Sequence, residues 1–339
     1  MTYNVRPEGE ETVDQRMRAW TYQRYGKPSE VLELREVDVP TVGDDQLLVR
    51  VVAASVNPLD WHWMTGTPRF ARIVMGLRRP KRSVPGADIA GIVEAAGDKV
   101  TRFRPGDEVF GETVGALAGY ALVSETGLVA KPSNLTFEEA AAVPVAAFTA
   151  LQGLRDWGGM KEGDRVLVNG ASGGVGTFAV QIAKALGASE VTGVCSTRNV
   201  ETARELGADR VIDYTREDFT RTGEQYDLVF DGPGNRSFRD LRRILAPGAA
   251  HVLIGGPKGG WVQPIPVLLK MKLLAMFYDF RAANDTAKRK LEDLETLRAW
   301  LESGDIRPII DRNYKWDEVP DALTYQGEFH ARAKVVITV

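Results

Sequence analysis

The feature that most constrains the fold is a set of three glycines at three-residue spacing, Gly170, Gly173 and Gly176. The apolar residues 166–168 before them predict a strand buried on both faces, and residues 177–187 after them predict a helix closed by a glycine. In such a unit the first glycine permits the turn, the second admits phosphates, and the third lets the helix pack against the strand. The helix N-terminus offers unpaired N–H groups and a positive dipole end. The pattern therefore predicts a pyrophosphate site.

The glycine turn departs from the usual G-x-G-x-x-G because Ser172 stands where a glycine is expected. Taken alone, the turn is also compatible with a purely structural role. The residues that follow favour the nucleotide interpretation, since short apolar runs at 191–194, 211–214, 228–231 and 252–254 alternate with helical patterns such as 198–206. This alternation predicts an α/β fold with a doubly wound parallel sheet.

The end of the second strand of this unit indicates which dinucleotide is bound. NAD-binding folds place an Asp or Glu there, about 20 residues past the glycine turn, to hold the ribose 2′-hydroxyl. Here the segment contains Ser196, Thr197, Arg198 and Asn199 and no carboxylate before Glu201. Arg198 can pair with a 2′-phosphate, and Ser196 and Asn199 can donate to it. We therefore expect NADPH (NADP+) as cofactor. The alternative is that Arg198 is only a solvated residue at the start of a helix.

Charge and cysteine content exclude several classes of protein. Lys and Arg number 43 against 46 Asp and Glu, a net charge of −3, so no nucleic-acid partner is expected. The single cysteine, Cys195, rules out an intrachain disulfide and a thiolate-rich zinc site, and favours a cytoplasmic protein. Residues 1–16 are polar and lack the apolar core of a signal peptide, which predicts a flexible extension.

No apolar run is long enough to span a bilayer, and no membrane partner is expected. The longest candidate, residues 262–280, is interrupted by prolines and charges and predicts a helix followed by a strand at 273–278. That strand suits subunit pairing at a sheet edge, which favours a homodimer, although an internal core strand is an equal alternative.

The first half of the chain carries a glycine-punctuated strand pattern that suggests a partly open β-barrel. Its motifs are Val56-Asn57-Pro58-Leu59-Asp60, Pro85-Gly86-Ala87-Asp88, Arg104-Pro105-Gly106-Asp107-Glu108-Val109, Pro144-Val145-Ala146-Ala147-Phe148-Thr149-Ala150 and Lys334-Val335-Val336. Together with the glycine turn, these segments resemble the medium-chain dehydrogenase/reductase superfamily over residues 17–339. The nearest branch is the zinc-free, quinone-oxidoreductase-like (zeta-crystallin-like) group.

The resemblance implies a Rossmann-type dinucleotide-binding domain at 143–282 and a discontinuous, mostly β GroES-like catalytic domain at 17–142 and 283–339. Zinc-dependent members carry a Cys and a His where this chain has Asn57 and Ala87, and the four-cysteine structural zinc loop is absent. No metal site is therefore expected. Without a Lewis acid to polarise an alcohol, alcohol dehydrogenation is disfavoured.

The resemblance also assigns cofactor contacts. It implies that Asn57 lies near the nicotinamide ribose and Thr149 near the nicotinamide ring. Gly255 and Gly256 would back the nicotinamide half, and Tyr214 would flank the adenosine phosphate. Lys334 would approach from the other domain, with Ala333 before it where glycine is usual. The residues that would hold the pyrophosphate are Ala171, Ser172, Gly173, Gly174 and Val175.

The chemistry that remains is hydride transfer from NADPH to a quinone or an activated alkene, because conjugation lets the acceptor take up charge. Candidate catalytic residues are Asn57, Asp60, His62 and Lys334, the last three as proton donors or oxyanion partners. The alternative for His62 is a packing role, and the alternative for Asp60 is a structural role in the turn after Pro58. Solvent could supply the proton instead of a side chain. A small-molecule quinone or enone is the expected substrate.

Two further segments near Asn57 have more than one interpretation. The aromatic stretch that begins at Trp61 could line a pocket for a flat substrate or belong to the core. The basic cluster Arg78-Arg79-Pro80-Lys81-Arg82 could attract an acidic substrate tail, but a solvated loop is favoured. Alternatives for the whole protein are a non-catalytic NADPH-binding structural protein and the enoyl reductase of a biosynthetic pathway. A zinc-type alcohol dehydrogenase is disfavoured by the substituted ligands.

Overall fold

The computed structural model describes residues 16–256, 265–328 and 331–339. The predicted N-terminal extension at 1–16 lies outside these residues, except for Arg16, which begins the first strand. The predicted domain boundaries near residues 142 and 283 stay predictions.

The strands of the described chain form three sheets. In chain order they are β1 (Arg16–Thr21), β2 (Glu33–Asp38), β3 (Gln46–Val56), β4 (Asp88–Ala96), β5 (Glu108–Glu112), β6 (Tyr120–Ser124), β7 (Leu128–Ala130), β8 (Arg165–Asn169), β9 (Glu190–Cys195), β10 (Arg210–Asp213), β11 (Tyr226–Asp231), β12 (Leu245–Leu253), β13 (Phe280–Ala283), β14 (Ile310–Lys315) and β15 (Lys334–Thr338).

Helices cover the sheets and connect them. They are α1 (Pro28–Val31), α2 (Pro58–Thr65), α3 (Arg72–Met75), α4 (Phe137–Ala141), α5 (Pro144–Gln152), α6 (Gly174–Ala185), α7 (Val200–Glu205), α8 (Phe238–Leu241), α9 (Ile265–Ala275), α10 (Leu291–Ser303) and α11 (Val319–Gly327). A π-helical segment, Gly153–Trp157, extends α5, and short 3-10 helices lie at Arg69–Ala71, Glu125–Gly127, Thr197–Asn199, Phe219–Arg221 and Trp316–Glu318.

Six parallel strands form the dinucleotide-type sheet, in the order β10-β9-β8-β11-β12-β13. The chain order reverses beside β8, so a crevice opens at the carboxyl end of that strand, where open α/β sheets bind ligands. The glycine turn begins directly after β8. The predicted doubly wound sheet is thus confirmed, and it places the turn at its switch point.

A second, seven-stranded sheet runs in the order β14-β15-β3-β4-β5-β7, with β6 also paired to β3. Most of its pairs are antiparallel, and β15 joins β3 from almost the other end of the chain. The strand content agrees with the predicted GroES-like fold, and the sheet is not a closed barrel. This pairing brings the last strand beside the Asn57 motif.

The strand expected at 273–278 is wrong. Helix α9 continues to Ala275, and the sixth strand of the parallel sheet is β13, at Phe280–Ala283. The error arose because an apolar run of that length suits a helix or a strand equally. The sequence pattern at 282–304 predicts one long helix, but α10 begins only at Leu291. Within the described ranges, none of the helices has the length and hydrophobicity needed to cross a membrane.

Candidate active site

The glycine turn has the close contacts that its spacing predicts. Gly170 has φ of +87°, a conformation that costs glycine little. A Cβ placed on Gly176 would lie 2.0 Å from the carbonyl oxygen of Gly170, so only glycine fits where α6 meets the end of β8. A Cβ on Gly173 would meet nothing closer than that same oxygen at 3.5 Å. Gly173 therefore leaves open space in front of the helix.

That open space faces the N-terminus of α6, which begins at Gly174. The first N–H groups of a helix have no intrahelical acceptor, and the helix dipole adds partial positive charge there. Ser172 to Val175 are partly exposed, whereas Ala171 is fully buried and supports the turn. This glycine-lined, partly exposed cradle fits the pyrophosphate of a dinucleotide.

Lys334 reaches this cradle from the other sheet. A Cβ on Gly174 would lie 3.2 Å from Lys334 Cδ and 3.3 Å from the carbonyl oxygen of Ala333. Ala333 has φ of +94°, the one positive value among the described non-glycine residues. Ala333, which stands where glycine is usual, therefore has a strained backbone conformation beside the turn.

Asp88 is the centre of a buried polar network around Asn57 and Lys334. Its Oδ2 accepts hydrogen bonds from Ser55 Oγ at 2.6 Å, Asn57 Nδ2 at 2.9 Å and Lys334 Nζ at 3.1 Å. Lys334 Nζ also donates to Asn57 Oδ1 at 2.5 Å. Because Asp88 is 0% and Lys334 3% exposed, the ion pair is shielded from water. The network fixes both the Asn57 amide and the Lys334 ammonium.

The other oxygen of Asp88 ties this network to α5. Oδ1 accepts the backbone N–H of Val145 at 2.9 Å, in the first turn of the helix. The negative charge thereby lies at the positive end of the helix dipole. Four residues on, the Thr149 hydroxyl donates to the Val145 carbonyl at 2.7 Å. Asp88 thus links Asn57, which lies between β3 and α2, to the helix that carries Thr149.

Sequence reasoning did not assign a role to Asp88. Asp88 entered only as the last residue of the motif at 85–88. The available signal was a carboxylate at the start of the apolar strand Asp88–Ala96, since a charge in such a place is buried only when it is paired. Its partners Ser55 and Lys334 come together only through the pairing of β3 with β4 and β15.

Asp60 holds backbone groups with both of its oxygens. Oδ2 accepts the N–H of Asn57 at 2.8 Å, which caps α2, and Oδ1 accepts the N–H of Gly86 at 3.0 Å. Burial raises the pKa of this carboxyl to about 6, and the nearby Asp88 raises it further against the lowering effect of those N–H groups. Asp60 therefore joins α2 to the loop before β4 and titrates close to neutral pH.

His62 lies on α2 next to Trp61. The centroids of the two rings are 5.3 Å apart, in an edge-to-face arrangement. Its Nδ1 is 2.7 Å from the carbonyl oxygen of Thr67. Because that oxygen only accepts, Nδ1 carries the proton and Nε2 is the basic nitrogen of the neutral ring. Burial lowers the pKa of His62, so the neutral form predominates at neutral pH.

Gly255 and Gly256, expected to back the nicotinamide half, follow β12, whereas the residues expected at the adenosine half follow β9 and β10, on the other side of β8 and β11. Gly255 packs tightly under the crevice, since a Cβ there would be 2.4 Å from the Gly232 carbonyl oxygen; Gly256 follows it. The nearby Asp231 accepts hydrogen bonds from Asn169 Nδ2 at 2.8 Å and from the N–H of Gly234 at 3.0 Å, which orders this edge.

The segment after β9 presents Arg198 on the surface. Arg198 and Thr197 are exposed, and Asn199 is buried and donates to Ser196 Oγ at 3.2 Å. Thr197 donates to Asp213 Oδ2 at 2.5 Å, so a carboxylate from the next strand is close. Tyr214 follows Asp213 and is 54% exposed, which leaves its ring open to a ligand.

The structure brings Asn57, Lys334 and the glycine turn into one place, with Asp60 one turn of α2 away. Ser196 to Asn199 and Tyr214 lie together at the ends of β9 and β10. Among the residues that the structure describes, there is no group of three or more His, Cys, Asp or Glu side chains placed to hold a metal ion.

Comparisons with known proteins match most of the chain. Residues 43–133 match the alcohol dehydrogenase GroES-like domain family, and residues 206–337 match the zinc-binding dehydrogenase family. A quinone-oxidoreductase homolog of Spinacia oleracea, chloroplastic, is 42% identical, over 95% of this chain and 98% of the relative. The 2-methylene-furan-3-one reductase of Solanum lycopersicum is 34% identical, over 96% of this chain and 80% of the relative.

A solved structure shows the same similarity at the level of the fold. The quinone oxidoreductase from Coxiella burnetii superimposes with a TM-score of 0.82 at 28% identity, covering 96% of this chain and 99% of that one. The similarity therefore extends over both sheets.

Proposed function

Because the chain belongs to the zinc-free quinone oxidoreductase branch of the medium-chain dehydrogenase/reductase superfamily, we propose that it is an NADPH-dependent oxidoreductase. Its reaction is the transfer of a hydride to a quinone or an α,β-unsaturated carbonyl compound. The relatives' names support this substrate class, since they include a quinone-oxidoreductase homolog and a 2-methylene-furan-3-one reductase.

The observation that carries the proposal is the contact of Lys334 with both halves of the site. Its Nζ donates a hydrogen bond to Asn57 Oδ1 at 2.5 Å. Its Cδ lies 3.2 Å from where a Cβ on Gly174 would be. A cation in this place can attract the pyrophosphate while the Asn57 amide orients the adjoining ribose. Both groups are already held by Asp88, so little reorganisation is needed when the cofactor binds.

The bound nicotinamide would supply the hydride. The chain's residues have three tasks: the glycine turn binds phosphate, Asn57 and Lys334 orient the nicotinamide half, and α2 supplies the titratable groups. Asp60 uses both oxygens to accept backbone N–H groups, which favours a positioning role. In the neutral His62 ring, Nδ1 donates to the Thr67 carbonyl and Nε2 is the accepting nitrogen. Reduction of the acceptor also consumes one proton, which solvent would supply directly or by relay through His62 Nε2.

NADPH, rather than NADH, is the part of the proposal that rests on Arg198. Its guanidinium is exposed at the end of β9, where a 2′-phosphate would arrive, with Ser196 and Asn199 beside it. Asp213 lies next to Thr197, but it comes from a different strand and its carboxylate already accepts the Thr197 and Thr215 hydroxyls.

A homodimer and a cytoplasmic location complete the proposal. In the described part of the chain, β13 has β12 as its neighbour and leaves its other edge for a second subunit. The single cysteine, Cys195, is buried and can form no intrachain disulfide, which favours a reducing compartment.

The test follows NADPH oxidation by the purified, chelator-treated protein with an ortho-quinone and an enone as parallel acceptors. We expect turnover of at least one acceptor without added metal. Tight NADPH binding with no turnover of either acceptor would overturn the reductase proposal and favour a non-catalytic protein. A requirement for zinc would overturn the metal-independent mechanism.

A further inference from the structure

A short surface segment concentrates positive charge on a chain that is negative overall. Residues 69–82, called here the basic-apolar loop, contain six Lys and Arg residues and no Asp or Glu, whereas the whole chain has a net charge of −3. The loop follows α2 and includes α3, so it lies in sequence directly after the Asn57 and His62 region. Such a local excess of one sign produces a positive surface field.

Large apolar side chains project from the same segment. Ile73 is 76%, Val74 67% and Leu77 73% exposed. These three residues fall within five positions of one another in the sequence. Monomeric proteins expose contiguous apolar patches where they bind a partner or a membrane. The exposure is unlike that of the neighbouring Met75, which is 9% exposed.

The backbone of the loop is held in place, so this exposure is a property of an ordered surface. Met75 is buried, and its carbonyl accepts the Lys81 N–H at 2.8 Å. The Tyr25 hydroxyl donates to the Gly76 carbonyl at 2.5 Å. Arg72 donates to the Gly66 carbonyl at 2.9 Å. These contacts fix the side of the loop that faces the protein and leave the apolar residues outside.

Only part of the positive charge is used within the protein. Arg72 lies over the Tyr25 ring at 4.2 Å, and Arg82 over the Trp63 ring at 4.1 Å. Within the described residues, Arg78, Arg79 and Lys81 take part in no salt bridge.

Arg78 and Arg79 also line a surface cleft together with charged residues of the β1–β2 region. Those residues are Arg24, Arg35 and Glu33. The one acidic member, Glu33, is paired with Arg35. The cleft is therefore suited to an anion, such as a phosphate group.

We propose that the basic-apolar loop docks the protein on an anionic lipid surface, with Ile73, Val74 and Leu77 entering the interface and Arg78, Arg79 and Lys81 contacting lipid phosphates. Burial of apolar side chains and attraction to anionic headgroups are the two contributions that hold peripheral proteins on membranes. Two copies joined through this loop would bring like charges together, which disfavours a second copy as the occupant.

This inference revises the expectation of no membrane partner, which considered only segments able to cross a bilayer. Peripheral docking needs no such segment. The cytoplasmic leaflet is the anionic one, in agreement with the proposed location. Docking stands without the proposed function; if both hold, the active site would open close to acceptors dissolved in the bilayer.

The experiment is a vesicle sedimentation assay on the full chain, with phosphatidylcholine vesicles and with vesicles that also contain phosphatidylglycerol. We expect binding to the anionic vesicles only, and weaker binding as ionic strength rises. The variant Arg78→Glu/Arg79→Glu should lower the partition coefficient by about 30-fold or more, since each basic residue near the surface contributes about 1 kcal/mol. The variant Ile73→Ser/Val74→Ser/Leu77→Ser should lower it by about tenfold or more.

A matched control separates the loop from general surface charge. Lys99→Glu/Lys161→Glu makes the same change of charge at exposed positions elsewhere, and its partition should stay within about twofold of the unaltered protein. Circular dichroism and reduction of a water-soluble quinone report folding of each variant and test the proposed function separately. Equal partition on both vesicle types, or equal loss in the control, would overturn the proposal. Loop-dependent self-association without lipid, seen by sedimentation velocity, would identify a second copy as the occupant instead.

Discussion

Lys334 and Asp88 form an ion pair of 3.1 Å between Nζ and Oδ2 that is almost completely shielded from water. The two residues lie on β4 and β15, 246 positions apart in sequence, and both also contact Asn57. The pair therefore couples the stability of the seven-stranded sheet to the orientation of the groups proposed to bind the cofactor.

Removing one member of this pair should be costly. Lys334→Met leaves the Asp88 carboxylate buried and without its cation, and should lower the free energy of unfolding by about 3–5 kcal/mol. The double variant Asp88→Asn/Lys334→Met should recover part of this loss, while NADPH binding stays weak. Urea denaturation and fluorescence titration with NADPH measure the two effects. A single variant as stable as the unaltered protein would contradict the buried-pair interpretation.

Ala333→Gly should stabilise the protein. Positive φ costs an alanine about 1–3 kcal/mol, and the larger entropy of unfolded glycine offsets about 0.4–1 kcal/mol of the relief. We expect a net gain of about 0.5–1 kcal/mol in urea denaturation. The control is Ala299→Gly on the exposed face of α10, which should cost about 1 kcal/mol. A loss at position 333 as large as at position 299 would show that the strain is absent.

Two glycines of the turn should separate folding from cofactor binding. Gly176→Ala places a methyl group 2.0 Å from the Gly170 oxygen, so the protein should lose about 3 kcal/mol or more of stability. Gly173→Ala keeps ordinary backbone, with φ of −81°, and should fold normally while binding NADPH at least about tenfold more weakly. Thermal unfolding and NADPH titration distinguish the two. Equal stability losses would refute this division of roles.

Arg198→Ala should weaken NADPH binding by about tenfold or more, since a hydrogen bond to a charged group contributes about 1.5–3 kcal/mol. NADH binding should change by less than about twofold, because NADH lacks the 2′-phosphate. Arg204→Ala, also exposed and nearby on α7, is the control and should leave both affinities unchanged. Isothermal titration with each cofactor measures the effects. Losses of equal size for NADPH and NADH would remove the argument for NADPH selectivity.

Asp60 should make stability depend on pH. Its folded pKa is about 6 against an ordinary 3.8, so the folded protein retains a proton that the unfolded chain releases. The stabilisation is complete below about pH 3.8 and is lost as pH rises through about 6, a change of roughly 3 kcal/mol. Urea denaturation from pH 4 to 8 should show this slope, and Asp60→Asn should reduce it.

Glu112 needs its own control in that series. Burial raises the pKa of Glu112 to about 7, with a further rise from Asp88 and opposing effects of Arg289 and Arg82. Glu112→Gln should remove the slope between about pH 6 and 7 and reduce it between about pH 4.5 and 6, where Asp60 also contributes. An unchanged profile in Asp60→Asn would mean that Asp60 does not titrate in this range.

Much of the parallel sheet could be predicted because its signals are local. The apolar run before Gly170, the glycine spacing and the helix after it all lie within about 20 residues, and the structure confirms each of them. The strand at 273–278 failed because local pattern could not separate a buried strand from the end of α9. The strand forms instead at Phe280–Ala283, where it pairs with β12.

The polar network around Asp88 could not be predicted from local pattern. Asn57 and Lys334 were both expected near the cofactor through the family resemblance, but their mutual contact spans 277 positions of sequence. Asp88 was missed for the same reason, since a carboxylate becomes a network centre only when the strands around it are paired. Long-range pairing supplied what residue type and spacing could not.

The pairing of β15 with β3 also bears on how the chain is made. At roughly 5–20 residues per second, a ribosome reaches Lys334 roughly 15 to 55 seconds after Asn57 has been synthesised. During that interval the edge of β3 at Ala53–Val56 lacks the strand that covers it in the finished protein. The nascent sheet must wait with an open edge, and the cofactor cannot assist its folding until translation is nearly complete.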